Sequence, residues 1–345
     1  MSRVYFSPAA RKEEMLKAIK ILYEKVSRDF NVNGKKIAVK THFGEKGNRT
    51  HLDPAFTKRI CEVISSKGGT PELVECNTLY RGERLRTETH IKLAKKHGFD
   101  FAPIVICDSG GEEWRIPIRG KHFKEVKVGG KLRNYRMMVS IAHCKGHIAA
   151  GYGGALKNIG MGLGNRAGKL EMHAKVRPVF NHSKCKACGV CAENCPAGAI
   201  TLKEYAVMDE EKCIGCATCI AVCPYGAVEI PWFDATAEEL QERIVEYAWG
   251  ITGRMKTIYF NFLVNITPRC DCIADSGKPV VKDIGILASR DVVSIEQASI
   301  DMIRESAGRD IFKEIHNIDV SVQPRYAEKL GMGERDYEIV DIRNL

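Results

Sequence analysis

Two cysteine runs near the middle of the chain leave that segment little freedom in what it can become. Cys185-x2-Cys188-x2-Cys191-x3-Cys195-Pro196 is followed by Cys213-x2-Cys216-x2-Cys219-x3-Cys223-Pro224. The second run repeats the first, and the match continues through Ala199-Ile200 and Ala227-Val228. A repeat of this kind predicts two similar half-modules packed about a pseudo-twofold. Three cysteines two residues apart wrap a tight turn around one face of a metal–sulfur cubane. The fourth, held by its proline, is aimed away from its neighbours toward the other half. Zinc would ask for two cysteine pairs rather than four-ligand runs ending in Cys-Pro.

The run resembles the two-cluster bacterial ferredoxins over about residues 181–231, with every ligand present. That resemblance implies one [4Fe–4S] cluster on Cys185, Cys188, Cys191 and Cys223, and a second on Cys213, Cys216, Cys219 and Cys195. A cubane held by four cysteines has no open iron position. Its expected task is therefore to pass electrons, at a potential on the order of −400 mV.

The cysteine count sets the expected compartment. Of 14 cysteines in 345 residues, eight sit in these two runs at ligand spacing, which fits a reducing cytoplasm. The other six, Cys61, Cys76, Cys107, Cys144, Cys270 and Cys272, are expected mostly to fill core volume as small hydrophobes. The formal charge of +10 is scattered, with no arginine-rich tract or base-reading motif, so nucleic acid is not the expected partner. Thiolate-bound clusters would offset part of that charge, and a basic surface suits docking of a redox partner protein. Met1–Ala10 lacks the pattern of a secretory leader, and the longest apolar run, Thr257–Ile266, is only strand-sized. The expectation is a soluble, unexported protein without a membrane span.

On either side of the runs, the pattern alternates between strand and helix. Arg3–Phe6, Lys36–Phe43, Glu72–Cys76 and Ala102–Cys107 read as strands. Arg11–Phe30, Asp53–Lys67 and Thr87–His97 read as helices, the second opened by an Asp-Pro cap. The α/β character returns after Pro231, with a helix over Ala237–Gly250, a strand over Thr257–Ile266 and a last element at Tyr337–Ile342. This predicts an α/β fold: a mostly parallel sheet covered by helices, formed by residues 1–180 and 232–345 and interrupted by a small ferredoxin-like two-cluster insert at 181–231.

A second candidate site lies before the cysteine runs. Ile141–Gly162 holds His143, Cys144, His147, Gly151, Gly153, Gly154, Lys157 and Asn158, with His173 further on. Glycines at this density let backbone N–H groups approach an anion, yet the spacing fits neither a Walker loop nor a dinucleotide fingerprint. Here the chain resembles the domain-of-unknown-function 362 family, whose members often carry a ferredoxin insert. The resemblance covers most of the sequence, including Pro268–Met302. A more distant similarity is to the nickel-pincer lactate racemases, through the order His…Gly-Gly-x-x-Lys…His. It implies an acid/base role for His147, cofactor tethering by Lys157 and metal binding by His173. From the residues alone, His147, Lys157 and His173 are expected to converge on a pocket for a small anionic substrate or cofactor, with Gly151, Gly153 and Gly154 beside it. Cys270-Asp271-Cys272 follows a predicted strand and is a candidate for metal or substrate contact if Cys144 or His143 joins it. His42, His51 and Asp53 are weaker candidates, the last already explained as a helix cap.

The function expected from the sequence is an iron–sulfur electron-transfer protein acting as an oxidoreductase. The alternatives are an electron carrier within a larger complex, and a non-redox enzyme or cofactor-assembly factor with structural or sensing clusters.

Overall fold

The computed structural model describes residues 1–174, 177–232 and 234–344. Its frame is an eight-stranded sheet. From one edge to the other, the strands are Tyr337–Asp341, Ser2–Pro8, Gly285–Ser289, Lys256–Leu263, Met137–His143, Lys36–Lys40, Thr70–Glu75 and Ile104–Ile106. Gly285–Ser289 runs antiparallel to both neighbours and every other pairing is parallel, so the sheet is mostly parallel.

Both faces are covered, as the near-continuous apolar strands require. Side chains alternate across the sheet, so Ile37 and Val39 face one way while Ala38 faces the other. The first face packs on helices Lys12–Val26 and Pro54–Ser66 through Ile19, Leu22, Ile60 and Ile64. The second packs on helices Ala155–Leu163, Ala237–Thr252 and Val292–Ala307 through Leu156, Ile159, Ile244 and Ile295. The Asp53 carboxylate accepts from the Ala55 N–H at 2.9 Å and so caps its helix, as expected from the Asp-Pro pair.

The predicted elements are all present, with bounds that differ by a few residues: the strand expected over Arg3–Phe6 spans Ser2–Pro8 and the helix expected over Ala237–Gly250 runs to Thr252, while others are shorter. The strand expected over 257–266 spans Lys256–Leu263, because its partner strand ends with the Leu263–Gly285 pair. Asn265 then turns the chain at φ 49°, its N–H held by Asp283 at 2.6 Å. The strand expected over 36–43 ends at Lys40 for the same reason: its ladders to Val74 and Ser140 end there.

The cysteine-rich segment is closed at its base by a short antiparallel pair, Val179 with Glu229 and Phe180 with Val228. A third apolar cluster fills it, built from Cys191, Ile200, Ala206, Cys219, Ile220 and Val228 and joined by Leu79 and Leu170 from outside the segment. The sequence repeat is matched in the backbone. Ala187 (φ 48°) corresponds to Gly215 (φ 69°), Gly189 (φ 84°) to Ala217 (φ 59°) and Gly198 (φ 58°) to Gly226 (φ 64°). Two alanines held in the left-handed region, where a Cβ is disfavoured, mark turns that their surroundings impose.

Candidate functional site

Four parallel strands deliver their carboxyl ends to one edge of the sheet, the usual place for ligand sites in such folds. Lys40, Glu75 and His143 close three of them, and the fourth, Lys256–Leu263, leads into the loop carrying Cys270 and Cys272. There they surround a cavity of about 430 Å³.

His147 enters from a small hairpin, Lys145–His147 against Gly151–Gly153. Lys157 lies in the first turn of helix Ala155–Leu163, and His173 is the last residue of helix Arg166–His173. All three line the cavity, as do Gly153 and Gly154. Gly151 sits elsewhere: at φ +71°, its open side faces Val320 and Ile318. Burial pushes His147 well below its usual pKa, helped by Lys157 and His173, and burial with Lys157 and Lys169 takes His173 down to about 3. Both rings are therefore neutral at pH 7. The His147 Nδ1 accepts from the N–H groups of Ala149 (3.2 Å) and Ala150 (3.1 Å), so the neutral ring carries its proton on Nε2. His173 packs edge-on against Trp232, centroids 4.7 Å apart.

The wall is rich in cations, and most of them are already paired. Lys40 meets Glu75 at 3.0 Å and Asn158 Oδ1 at 2.8 Å, with both charged side chains buried. Burial lowers the Lys40 pKa, and Glu75 offsets part of that shift. Arg84 is held by Glu45 at 3.2 Å, and Lys145 by Asp271 at 3.1 Å. Lys169 donates to the carbonyls of Gly162 and Gly164. Lys157 makes no hydrogen bond or ion pair among the described residues. The cavity thus offers Lys157 as a positive charge with no carboxylate partner among the described residues, and Lys169 as one satisfied only by neutral carbonyls.

Sequence reasoning missed Lys40, Glu75, Arg84, Lys145 and Lys169, which come from separate strands, a short 3-10 turn and a helix. A lysine closing the buried run Ile37-Ala38-Val39 was the one local signal. His42 lines the cavity beside Arg84, 3.0 Å from its guanidinium, whereas His51 stacks on His97.

The Cys270–Ile273 turn brings both of its cysteines to the cavity wall. Neither expected partner joins them. Cys144 faces the core, accepting from the Tyr152 hydroxyl at 3.1 Å, and His143 holds Asp271 through Nδ1 at 2.8 Å. His147 is the residue that approaches, one ring nitrogen and the two sulfurs lying within 4.8 Å of one another. Such a trio has the donor chemistry of a soft metal site, but the His147 tautomer leaves no free lone pair on Nε2. The Cys270 thiol is lowered to about 5, first by its hydrogen bond with Cys272 and then by Lys157 and Lys145; Cys272 is raised by the same bond. The two share one proton.

Two further cavities lie in the cysteine-rich segment. One is lined by Cys185, Cys188, Cys191 and Cys223, the other by Cys195, Cys213, Cys216 and Cys219. None of the fourteen cysteines is in a disulfide. Backbone N–H groups point at three of these sulfurs: Ala199 at Cys195 (3.3 Å), Ala206 at Cys185 (3.4 Å) and Ala227 at Cys223 (3.2 Å). The loop from Thr78 to Arg81 runs between this segment and the large cavity. Leu79 belongs both to the segment's apolar cluster and to the cavity wall, and the Tyr80 hydroxyl donates to the Cys272 carbonyl at 3.0 Å.

The profile of a domain of unknown function, DUF362, matches residues 37–301, and the chain belongs to the DUF362 family. No curated protein matches the chain. Among solved structures, it is similar to the lactate racemase apoprotein of Thermoanaerobacterium thermosaccharolyticum, at 10% identity and a TM-score of 0.41, over 76% of this chain and 51% of that one. It is also similar to a Thermotoga maritima protein solved as a structural genomics target, at 9% identity and a TM-score of 0.44, over 87% and 58%. The chain spans little more than half the length of these two structures. Among the described residues, no helix is long and apolar enough to cross a membrane.

Proposed function

We propose that this chain is an iron–sulfur oxidoreductase. Residues 181–231 would form the insert that holds two [4Fe–4S] clusters, and residues 1–180 with 232–345 the α/β domain that holds a small anionic substrate. The observation that carries this reading is the composition of the two small cavities. Each is walled by four cysteines, three from one run and the last from the other. That is the interlocked set a two-cluster ferredoxin needs. The N–H groups aimed at Cys185, Cys195 and Cys223 suit sulfur that carries negative charge.

When bound, each cluster supplies reversible one-electron transfer. The remaining tasks fall to side chains of the large cavity. Lys157 and Lys169 attract and orient the anionic end of the substrate. His147, neutral with its proton on Nε2, can donate a hydrogen bond through it, and His173, packed on Trp232, lines the same cavity. Electrons would come from a redox partner protein. A pure carrier has no need of a cavity of about 430 Å³ whose wall carries a lysine with no carboxylate partner among the described residues, and that favours the enzyme over the carrier.

The test is to prepare the protein anaerobically and compare it with His147→Ala/Lys157→Ala. The expected result is that the double variant keeps the reduced-cluster EPR signal and loses the spectral response to small anionic oxidants. Turnover with a partner that survives the double substitution would return the chain to the class of carriers.

A further inference from the structure

Cys270 and Cys272 have no part in that assignment, yet they stand in the same cavity wall as Lys157. We propose that they form a dithiol–disulfide couple that reduces a small anionic disulfide. The proposal rests on the oxidoreductase reading above and names its substrate class.

Three features carry it. The turn closed by the Ile273 N–H on the Cys270 carbonyl (3.3 Å) sets the two sulfurs side by side, within 4.8 Å of each other. The Cys272 N–H donates to the Cys270 sulfur at 3.2 Å, a bond that favours negative charge there. Asp271 between them is anchored by His143 (2.8 Å), Lys145 (3.1 Å) and Thr50 (3.3 Å), which fixes the turn. A metal is the competing occupant. The His147 proton on Nε2 and the cations around the cavity both oppose one.

Cys272 is the more exposed of the two and meets the substrate first. Its sulfur attacks one sulfur of the substrate disulfide while its proton passes to Cys270. The substrate S–S bond breaks and one half leaves as thiolate. Cys270 then attacks the Cys272 sulfur, the mixed disulfide breaks and the second half leaves as thiol, taking the Cys270 proton. The internal disulfide returns to one thiolate and one thiol by taking up two electrons and one proton. The reductant is a one-electron donor acting twice, the class the cysteine-rich segment is proposed to hold.

The experiment is differential alkylation read by mass spectrometry, on anaerobic full-length protein whose iron content is measured in parallel. Glutathione disulfide is the anionic probe and cystamine the cationic one. The expected result is loss of both labels from the peptide spanning Cys270 and Cys272 after glutathione disulfide, with cystamine about tenfold slower. Dithionite should restore both labels, and Cys270→Ser should trap a mixed disulfide on Cys272. Labels unchanged by the probe in iron-replete protein would overturn the inference, as would a metal bound to the pair. Disulfide formation in protein that holds no iron would instead remove the cluster reading and leave the dithiol in place.

Discussion

The guanidinium of Arg81 donates to the backbone carbonyl of Cys223 at 2.8 Å, and to that of Pro224 at 2.6 Å. Its chain neighbour Tyr80 holds Cys272 in the large cavity. One dipeptide therefore touches both the last cysteine of the second run and the dithiol turn. Because Arg81 is exposed, its contribution to stability is small, about 1 kcal/mol or less. Arg81→Gln should leave iron content and melting temperature nearly unchanged. It should alter the EPR of one cluster, the same one altered by Cys188→Ser, since both side chains belong to the Cys223 cavity or its rim.

The Lys40–Glu75 pair is buried at both ends. Lys40→Met would leave Glu75 as an unmatched charge and should cost about 3–5 kcal/mol in urea unfolding. Lys40→Met/Glu75→Leu should recover most of the loss. A single variant as stable as the parent would show that the pair is not buried as described.

Helix Ala155–Leu163 lies against helix Ala237–Thr252 at Gly160, where a Cβ would stand 2.1 Å from the Ile244 carbonyl oxygen. Backbone cannot yield as a flexible side chain can. Gly160→Ala should push the helices apart, cost about 1–3 kcal/mol and displace Lys157. Melting temperature and substrate response should fall together.

The cysteine runs were legible because a ligand set of this kind is written locally, in spacing, and its repeat is visible without any knowledge of the fold. The α/β alternation was legible for a similar reason, since Ile37-Ala38-Val39 and its counterparts carry their burial in the sequence. The large cavity was not. Lys40, Arg84, Lys145 and Lys169 read singly as solvated charges, and only the folded chain brings a strand end, a short turn, a hairpin and a helix together around one cavity. The glycines misled in part. Gly160 answers to helix packing and Gly151 to a turn against Val320, while Gly153 and Gly154 do reach the cavity. His147, rather than Cys144 or His143, meets Cys270 and Cys272, because the Lys145–His147 hairpin folds back over the turn.

Glu296 is wholly buried, accepting from the Leu156 N–H at 3.1 Å, and burial raises its pKa to about 7 from 4.5. The folded state therefore holds a proton that the unfolded state has released between these values. Its stabilising contribution is complete below pH 4.5, declines as pH rises toward 7 and is lost above it, a span of about 3 kcal/mol. Glu296→Gln should flatten this part of the profile and be the more stable protein at pH 8. Urea midpoints at pH 5 and pH 8 for both proteins provide the check. A parent that gains stability between those values relative to the variant would contradict the assignment.

Iron and sulfide analysis with EPR, on anaerobically prepared protein, reaches the central claim most directly. Two interlocked sites predict about eight irons per chain and two interacting signals on reduction. Cys223→Ser should then remove the cluster shared with Cys185, Cys188 and Cys191, while the one anchored by Cys195 stays. Tetrahedral zinc in place of iron, or a Cys223→Ser variant that loses the Cys213–Cys219 cluster instead, would contradict it.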